Sequence, residues 1–301
     1  MASTHKSFAR PRIACEISAE RVITARLAQR EPRLESCSVR RLPAGTLSAG
    51  LTPPNILHGE ALRQTITDAL TSVGGGGRGR DVIAILPDAT VRVLLVEFDT
   101  LPDKPDEVAA IIRFRVKKSL PFDVDDAALS FHTQSANGAV KVIAALAPRQ
   151  VIHEYEAAFH AAGYLPGVAV PSILATLGLV DADRPTMVVK VDLGTTTVAI
   201  VDRRELLLLR TLDHPGRAAA STKELLDHVY PSMVFSEDTY HAKIEQLLVT
   251  GMANVEGLAS ELQQETGVRT SEIGLASTFD LNAGDSGTRS ALAGVAGALL
   301  G

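Results

Sequence analysis

An α/β fold made of two related halves facing a cleft is predicted by three features of this sequence. Strand, tight turn, strand and then helix occur in that order twice, first over 12–73 and again over 186–246. Each half also contains a short apolar run, DVIAILP at 81–87 and LLVTG at 247–251, of the length and character of a strand covered on both faces. The chain has 301 residues, 46% hydrophobic and 22% charged, which gives material for about two domains with cores of their own.

Residues 12–27 alternate loosely and, with 34–42, read as a β-hairpin that opens the first half. Apolar residues at 62, 66, 70 and 73 give a helical period over Glu60 to Val73. GGGGRGR at 74–80 follows; with no GK[ST] after it, this is a flexible connector and not a phosphate loop. Strands at 81–87 and 91–99 precede a helix from Asp103 to Ser119, where Pro105 suits the first turn and Val108, Ile111, Ile112 and Val116 line one face. Arg113, Arg115, Lys117 and Lys118 are expected mostly in solvent beside Phe114. Strands at 128–134 and 140–147 flank an Ala136-Asn137-Gly138 turn, and a helix at 149–162 stops at Gly163. The second half has strands over 186–201 and 204–212, a helix from 221 that continues past Pro231, the strand 247–251, a helix at 254–266, and a final small-residue helix at 287–300 suited to packing on a sheet.

Several function classes are excluded by composition and spacing. Aromatics are 4% of residues with no Trp, too few for a stacking platform, and the net charge of −5 supplies no field for nucleic acid or anionic lipid. No run reaches the roughly 18 apolar residues of a membrane span, so direct membrane insertion is not expected. Cys15 and Cys37 form no CxxC pair, which fits a reducing compartment. His153 and His160 lack a third ligand, and Ser172 and Ser232 lack a G-x-S-x-G setting, so neither zinc chemistry nor a hydrolase is supported.

The segment richest in chemistry is KVDLGTTTVAIVD, Lys190 to Asp202. A strand ending in Asp192, the turn residues Gly194, Thr195, Thr196 and Thr197, and a returning strand make a hairpin tip. Its N–H groups and hydroxyls can cradle phosphate while the carboxylate orders a hydrated Mg²⁺. LLVTGMANVEGLASEL at 247–262 has a strand breaking at Gly251 and a helix after it, which resembles the adenosine motif of actin-like ATPases.

With those segments, 86–164 resembles the inserted subdomain of the type IV pilus assembly protein PilM family, whose fold is like that of FtsA. The "IPF" turn of that family is matched by Leu120-Pro121-Phe122. The resemblance covers about three-quarters of the chain. It implies an actin-like (ribonuclease H-like) two-domain fold divided as 1–85, an inserted subdomain at 86–164, a connecting helix in 165–185, and a second domain at 186–301 in which 213–246 is a shortened remnant of the adenine-side lobe. It implies candidate contacts to ATP from Asp192, Gly194, Thr195, Thr196 and Gly251, with Asp192 reaching Mg through water. It also implies a cytoplasmic scaffold, peripheral to the inner membrane through partners. Those partners would be the N-terminal tail of a PilN-like inner-membrane protein, lying in a groove built from 34–42, 91–99 and the helix 105–119, and other pilus assembly proteins.

Two departures from the family weigh on the nucleotide site. Its first phosphate loop reads like D-I-G-S-S-S-V-K, where this chain has Glu16, Ser18, Ala19, Glu20 and Ile23. Losing the glycine hinders a close backbone approach to phosphate. A carboxylate at Glu20, ~4 Å from a phosphate, would oppose it by about 4 kcal/mol per charge pair near a surface. Met252-Ala253 stand where relatives keep glycines, and only about 35 residues separate the second phosphate hairpin from Leu247, where relatives place a whole subdomain. The expected function is therefore a scaffold without ATP hydrolysis. The alternatives are an active Mg-ATP-binding actin-like ATPase and the cytoplasmic actin-like component of a type II secretion system, whose members normally continue into a membrane span.

Overall fold

The computed structural model describes residues 10–75, 80–136, 139–180, 183–214, 221–251, 255–273 and 290–301. The centre of the glycine-rich connector, the Asn137-Gly138 turn, Met252-Ala253 and the first residues of the expected last helix lie outside these.

Two five-stranded sheets share one topology. In the first, β1 (Ile13–Ile17), β2 (Arg21–Leu27) and β3 (Leu34–Arg41) form an antiparallel meander. Strands β4 (Asp81–Leu86) and β8 (Leu165–Pro171) add in parallel on the other side of β1, giving the order β3-β2-β1-β4-β8. In the second, β9 (Thr186–Asp192), β10 (Thr195–Asp202), β11 (Glu205–Asp213), β12 (Gln246–Thr250) and β13 (Arg269–Glu272) repeat the scheme as β11-β10-β9-β12-β13. A third sheet, β5-β7-β6, joins β5 (Arg92–Phe98), β6 (Ala127–Ala136) and β7 (Ala139–Pro148) in the inserted region. The strand–turn–strand–helix repeat in the sequence is thus a duplicated sheet. The closing strands β8 and β13 were not separated in the sequence because they carry few buried apolar residues.

Alternation assigns the faces of β1 and β9. Ile13, Cys15 and Ile17 face a core shared with helices α1 (Gly59–Ser72) and α3 (Arg149–Ala161), where Tyr155 and Phe159 are fully enclosed. Ala14 faces the other way, as does Glu16 by the same alternation. In the second domain Met187, Val189 and Val191 pack under helices α5 (Thr222–Tyr240) and α6 (Val255–Thr266), while Val188 faces the cleft. Among the described residues between β11 and β12 there is one helix, α5, begun by a capping box between Ser221 and Glu224.

In the inserted region α2 (Pro105–Val116) covers the small sheet with Val108, Ile112 and Val116. Arg113 departs from its expected solvent position. Its guanidinium donates to the carbonyls of Val124 and Ala127 and fastens the loop that leads into β6. Phe114 stands 85% exposed.

The chain finishes on the domain in which it began. Helix α7 (Ala293–Leu300) packs on α4 (Ser172–Leu177) and on β1, β2 and β4, and its first residue, Ala293, also joins the cluster of Val188, Ala199 and Leu248 in the second sheet. Its small residues allow this. A Cβ on Gly178 would meet the Gly297 carbonyl oxygen at 2.5 Å, and one on Gly297 would meet the carbonyl of Ala175. Arg10 donates to the Ala298 and Gly301 carbonyls at 2.6 and 2.7 Å, a cation at the helix's negative end. Gly297→Ala should therefore cost about 1–3 kcal/mol by overpacking, read as a lower denaturation midpoint.

Candidate functional site

Both sheets point the carboxyl ends of their first strands into one cleft, and four charged residues of three elements meet there. From the first sheet come Glu16 on β1 and Asp88, in the short turn after β4. From the second come Lys190 and Asp192 on β9. Glu16, Asp88 and Lys190 are each less than 5% exposed.

The Lys190 Nζ donates to Asp192 and lies 3.8 Å from Asp88 Oδ2 and 4.0 Å from Glu16 Oε1. One ammonium thus sits among three carboxylates, two from the other domain. The carboxylates have further partners. Ser172 donates its hydroxyl to Glu16, while Asp88 accepts the Ile173 N–H at 2.8 Å and the Thr197 hydroxyl at 3.2 Å. Glu16 Oε2 is enclosed with no hydrogen-bond partner and faces Gly294, where any Cβ would collide with it.

The protonation of these groups follows from burial and charge together. Burial works against the Lys190 ammonium, but Asp192, Asp88 and Glu16 raise its pKa above the ordinary lysine value, so it stays charged. Burial pushes the Glu16 carboxyl up to about 7, against the pull of Lys190 and the Ser172 hydroxyl, with Asp192 and Asp88 adding to the rise. Lys190 helps Glu16 only in part because the ammonium bonds to Asp192 and stands further from Glu16. Asp88 is raised as well, chiefly by burial, with Lys190 opposing.

The second phosphate-type hairpin forms as the sequence indicates. Asp192 pairs with Thr195, leaving Leu193-Gly194 as the turn, and Gly194 adopts φ +76°. The Gly194 carbonyl accepts the His214 N–H at 2.6 Å. Asp192 and Thr195 line the cleft; Gly194 and Thr196 line neither of its two cavities, and the Thr196 hydroxyl is enclosed without a hydrogen-bond partner. Gly251 ends β12 at φ +104°, so close to Val191 that a side chain would strike its carbonyl.

Opposite it, the first hairpin has closed its own turn. The Ser18 N–H donates to the Arg21 carbonyl at 2.9 Å, and the Ser18 hydroxyl accepts the Arg21 N–H at 3.1 Å. No residue of this turn has positive φ, as expected once glycine is absent. Glu20, expected to oppose a phosphate, is instead exposed and lines neither cavity; the carboxylate that this hairpin places inside the cleft is Glu16. Arg21 crosses the cleft and donates to the Gly251 carbonyl at 2.9 Å.

Among the described residues, the cleft holds cavities of about 20 Å³, two of which bear on these groups. The first touches Glu16, Arg21, Lys190, Asp192, Gly251 and Ser290; the second touches Ser18, Asp88 and Thr195. Each has the volume and polar lining of a site for about one water. Sequence reasoning did not find the roles of Asp88, Lys190 and Arg21. The one local signal was a charge inside an apolar run of strand length, as in TMVVKVD and IACEI.

No family model matches the chain, and no curated relative matches it. Among solved structures, a chain of the "PilM-PilN type IV pilus biogenesis complex" aligns with a TM-score of 0.79 at 20% identity, covering 96% of this chain and 98% of that one. The ethanolamine utilization protein EutJ from Carboxydothermus hydrogenoformans aligns at 0.53 with 10% identity, covering 98% and 92%. The cytoplasmic domain of EpsL, an inner-membrane component of the type II secretion system of Vibrio cholerae, aligns at 0.50 with 12% identity, covering 93% and 94%. Two sheets of one topology, a cleft between them and a three-stranded insertion in the first half make this chain an actin-like fold of the PilM form.

Proposed function

We propose that this chain is a cytoplasmic scaffold of a type IV pilus assembly complex, held at the inner membrane through its partners, and that it does not hydrolyse ATP. The partner is the N-terminal tail of a PilN-like inner-membrane protein. The observation that carries this reading is the correspondence with the PilM-PilN structure over nearly the whole of both chains, insertion included. The likeness to EpsL is much looser, which favours the pilus reading over a type II secretion role. Among the described residues no helix is long and apolar enough to cross a membrane, in keeping with attachment through a partner.

The tail site implied by the resemblance uses β3, β5 and α2. Strand β3 is an outer strand of the first sheet and β5 an outer strand of the small sheet, so both offer backbone for strand addition. Arg92 at the start of β5 bonds to Asp213 at 2.6 Å and anchors that sheet to the second domain.

The cleft fits Mg-ATP poorly. Arg21 and Gly251, the groups that would flank a nucleotide, are bonded to each other. The net charge of Glu16, Asp88, Asp192 and Lys190 is negative when all are ionised, which opposes a triphosphate. Asp192, Thr195 and Gly251 remain the cleft's candidate nucleotide contacts.

A PilN-like tail co-expressed with the full chain should co-purify with it, and titration with Mg-ATP should give no binding heat at micromolar concentrations. Failure of every such tail to associate would sink the scaffold reading. Micromolar or tighter Mg-ATP binding would overturn the nucleotide half alone.

A further inference from the structure

Large apolar side chains stand in solvent on two helices, and the two groups lie among opposite charges. On α2 and the turn that follows it, Phe114 and Ile111 are exposed beside Lys117 and Lys118, all within one helical turn of Phe114. On α5, Tyr230 and Val234, the latter 57% exposed, share a stripe with Asp227, Glu237 and Asp238 at the i+3 and i+4 spacing of one helix face. Tyr230 is fixed against α6, where its hydroxyl donates to the Glu265 carbonyl at 2.7 Å. Glu237 and Asp238 occupy the last turn of α5, the negative end of the helix, where a carboxylate lowers the stability of the free chain. Among the described residues, Asp227, Glu237 and Asp238 pair with no cation and Lys118 with no carboxylate.

The fold puts these patches on opposite outer faces. Strand β7 alternates, with Val142, Ala144 and Leu146 packed under α2 and Ile143 and Ala145 turned towards Leu209 of the second sheet. In that sheet Val188 and Ala199 share the side of Ile143, while Met187 and Ile200 lie under α5 and α6. The layers therefore run α2, small sheet, second sheet, then α5 with α6. Two patches at the ends of one stack cannot meet within a chain, but they can meet between chains. We propose that the α2 patch of one copy docks on the α5 patch of the next. Phe114 seats against Tyr230 and Val234, and Lys117 and Lys118 face Glu237 and Asp238. Such a head-to-tail contact leaves one patch free at each end, so copies add in rows and do not stop at a pair. An exposed aromatic among cations would also suit an anionic lipid surface, but a membrane leaves the acidic α5 patch unexplained and a second copy explains both. The inference does not rest on tail binding: α2 belongs to the implied tail site, α5 does not, and the α5 variants below separate the two.

Sedimentation velocity of the full chain in low-salt buffer tests this. Over about a hundredfold range of concentration the weight-average mass should climb past that of a dimer, and about 0.5 M NaCl should return it towards the monomer by screening. Phe114→Asp and Val234→Asp change exposed side chains outside the core, so each should keep wild-type circular dichroism and remain monomeric. Mixed in equal amounts, the two variants should form a dimer and nothing larger, because each retains the patch that the other lacks. Lys117→Glu with Lys118→Glu should weaken association about tenfold or more, and adding Glu237→Lys with Asp238→Lys to the same chain should restore it. A wild type that stays monomeric throughout, or whose mass stops at a dimer, would overturn the proposal, as would an inert mixture of the two variants. Binding of a monomeric wild type to phosphatidylglycerol vesicles, lost in Phe114→Asp, would also overturn it and assign the α2 patch to a membrane surface.

Discussion

Lys190→Met is expected to destabilise the folded chain by about 3–5 kcal/mol at neutral pH, the usual cost of removing one partner from a buried ionic cluster. Methionine retains most of the volume, so the cavity contribution is small and the loss is electrostatic. Glu16, Asp88 and Asp192 would remain close together, two of them fully enclosed, with no ammonium to offset them. The direction with pH follows. Without the lysine the pKa values of Glu16 and Asp88 rise further, the folded variant binds protons more readily than its unfolded form, and its deficit relative to wild type shrinks as pH falls towards 5. Urea denaturation at pH 7.5 and pH 5 measures both quantities. A loss under about 1 kcal/mol at pH 7.5 would mean that the cluster contributes little to closure.

Glu16→Gln is expected to act in the opposite sense. The folded carboxyl sits at about 7 against an ordinary 4.5, with burial the main cause. Because the folded value is the higher one, the group's stabilising contribution is complete below about 4.5 and is lost as pH rises through 7. That displacement corresponds to about 3 kcal/mol. Glutamine presents the same oxygen to the Ser172 hydroxyl and carries no charge to desolvate. The variant should match wild type near pH 4.5 and exceed it by about 1–3 kcal/mol at pH 8, with a flatter stability profile between. A variant less stable than wild type at pH 8 would show instead that the Glu16–Lys190 attraction outweighs burial. The two substitutions are complementary, since one removes the cluster's cation and the other an excess anion.

Features governed by neighbouring residues were legible in the sequence. The period of 62, 66 and 70 gives α1, the apolar runs at 81–86 and 247–250 give central strands, and the Leu193-Gly194 turn and the Gly251 stop appear where their backbone demands place them. The small residues of the last helix were rightly read as a packing surface, because only such residues admit the Ala175 and Gly178 backbone. Which sheet that helix would meet was not readable. Arg113 looked solvent-facing by helical period, yet its long side chain reaches two carbonyls of the following loop.

The sequence by itself determined the doubled strand order, the inserted subdomain, the hairpin ending in Asp192 and the loss of the first phosphate-loop glycine. The strand order and the hairpin follow from periodicity and turn stereochemistry, which act over a few residues; the inserted subdomain and the lost glycine were read from the resemblance to the PilM family. Only the tertiary structure decided what became of the cleft: Glu16, Asp88 and Lys190 lie more than seventy residues apart, and Arg21 reaches Gly251 across 230 positions. A buried charge announces in the sequence that it needs a partner, but the partner is chosen by how the two sheets are brought together.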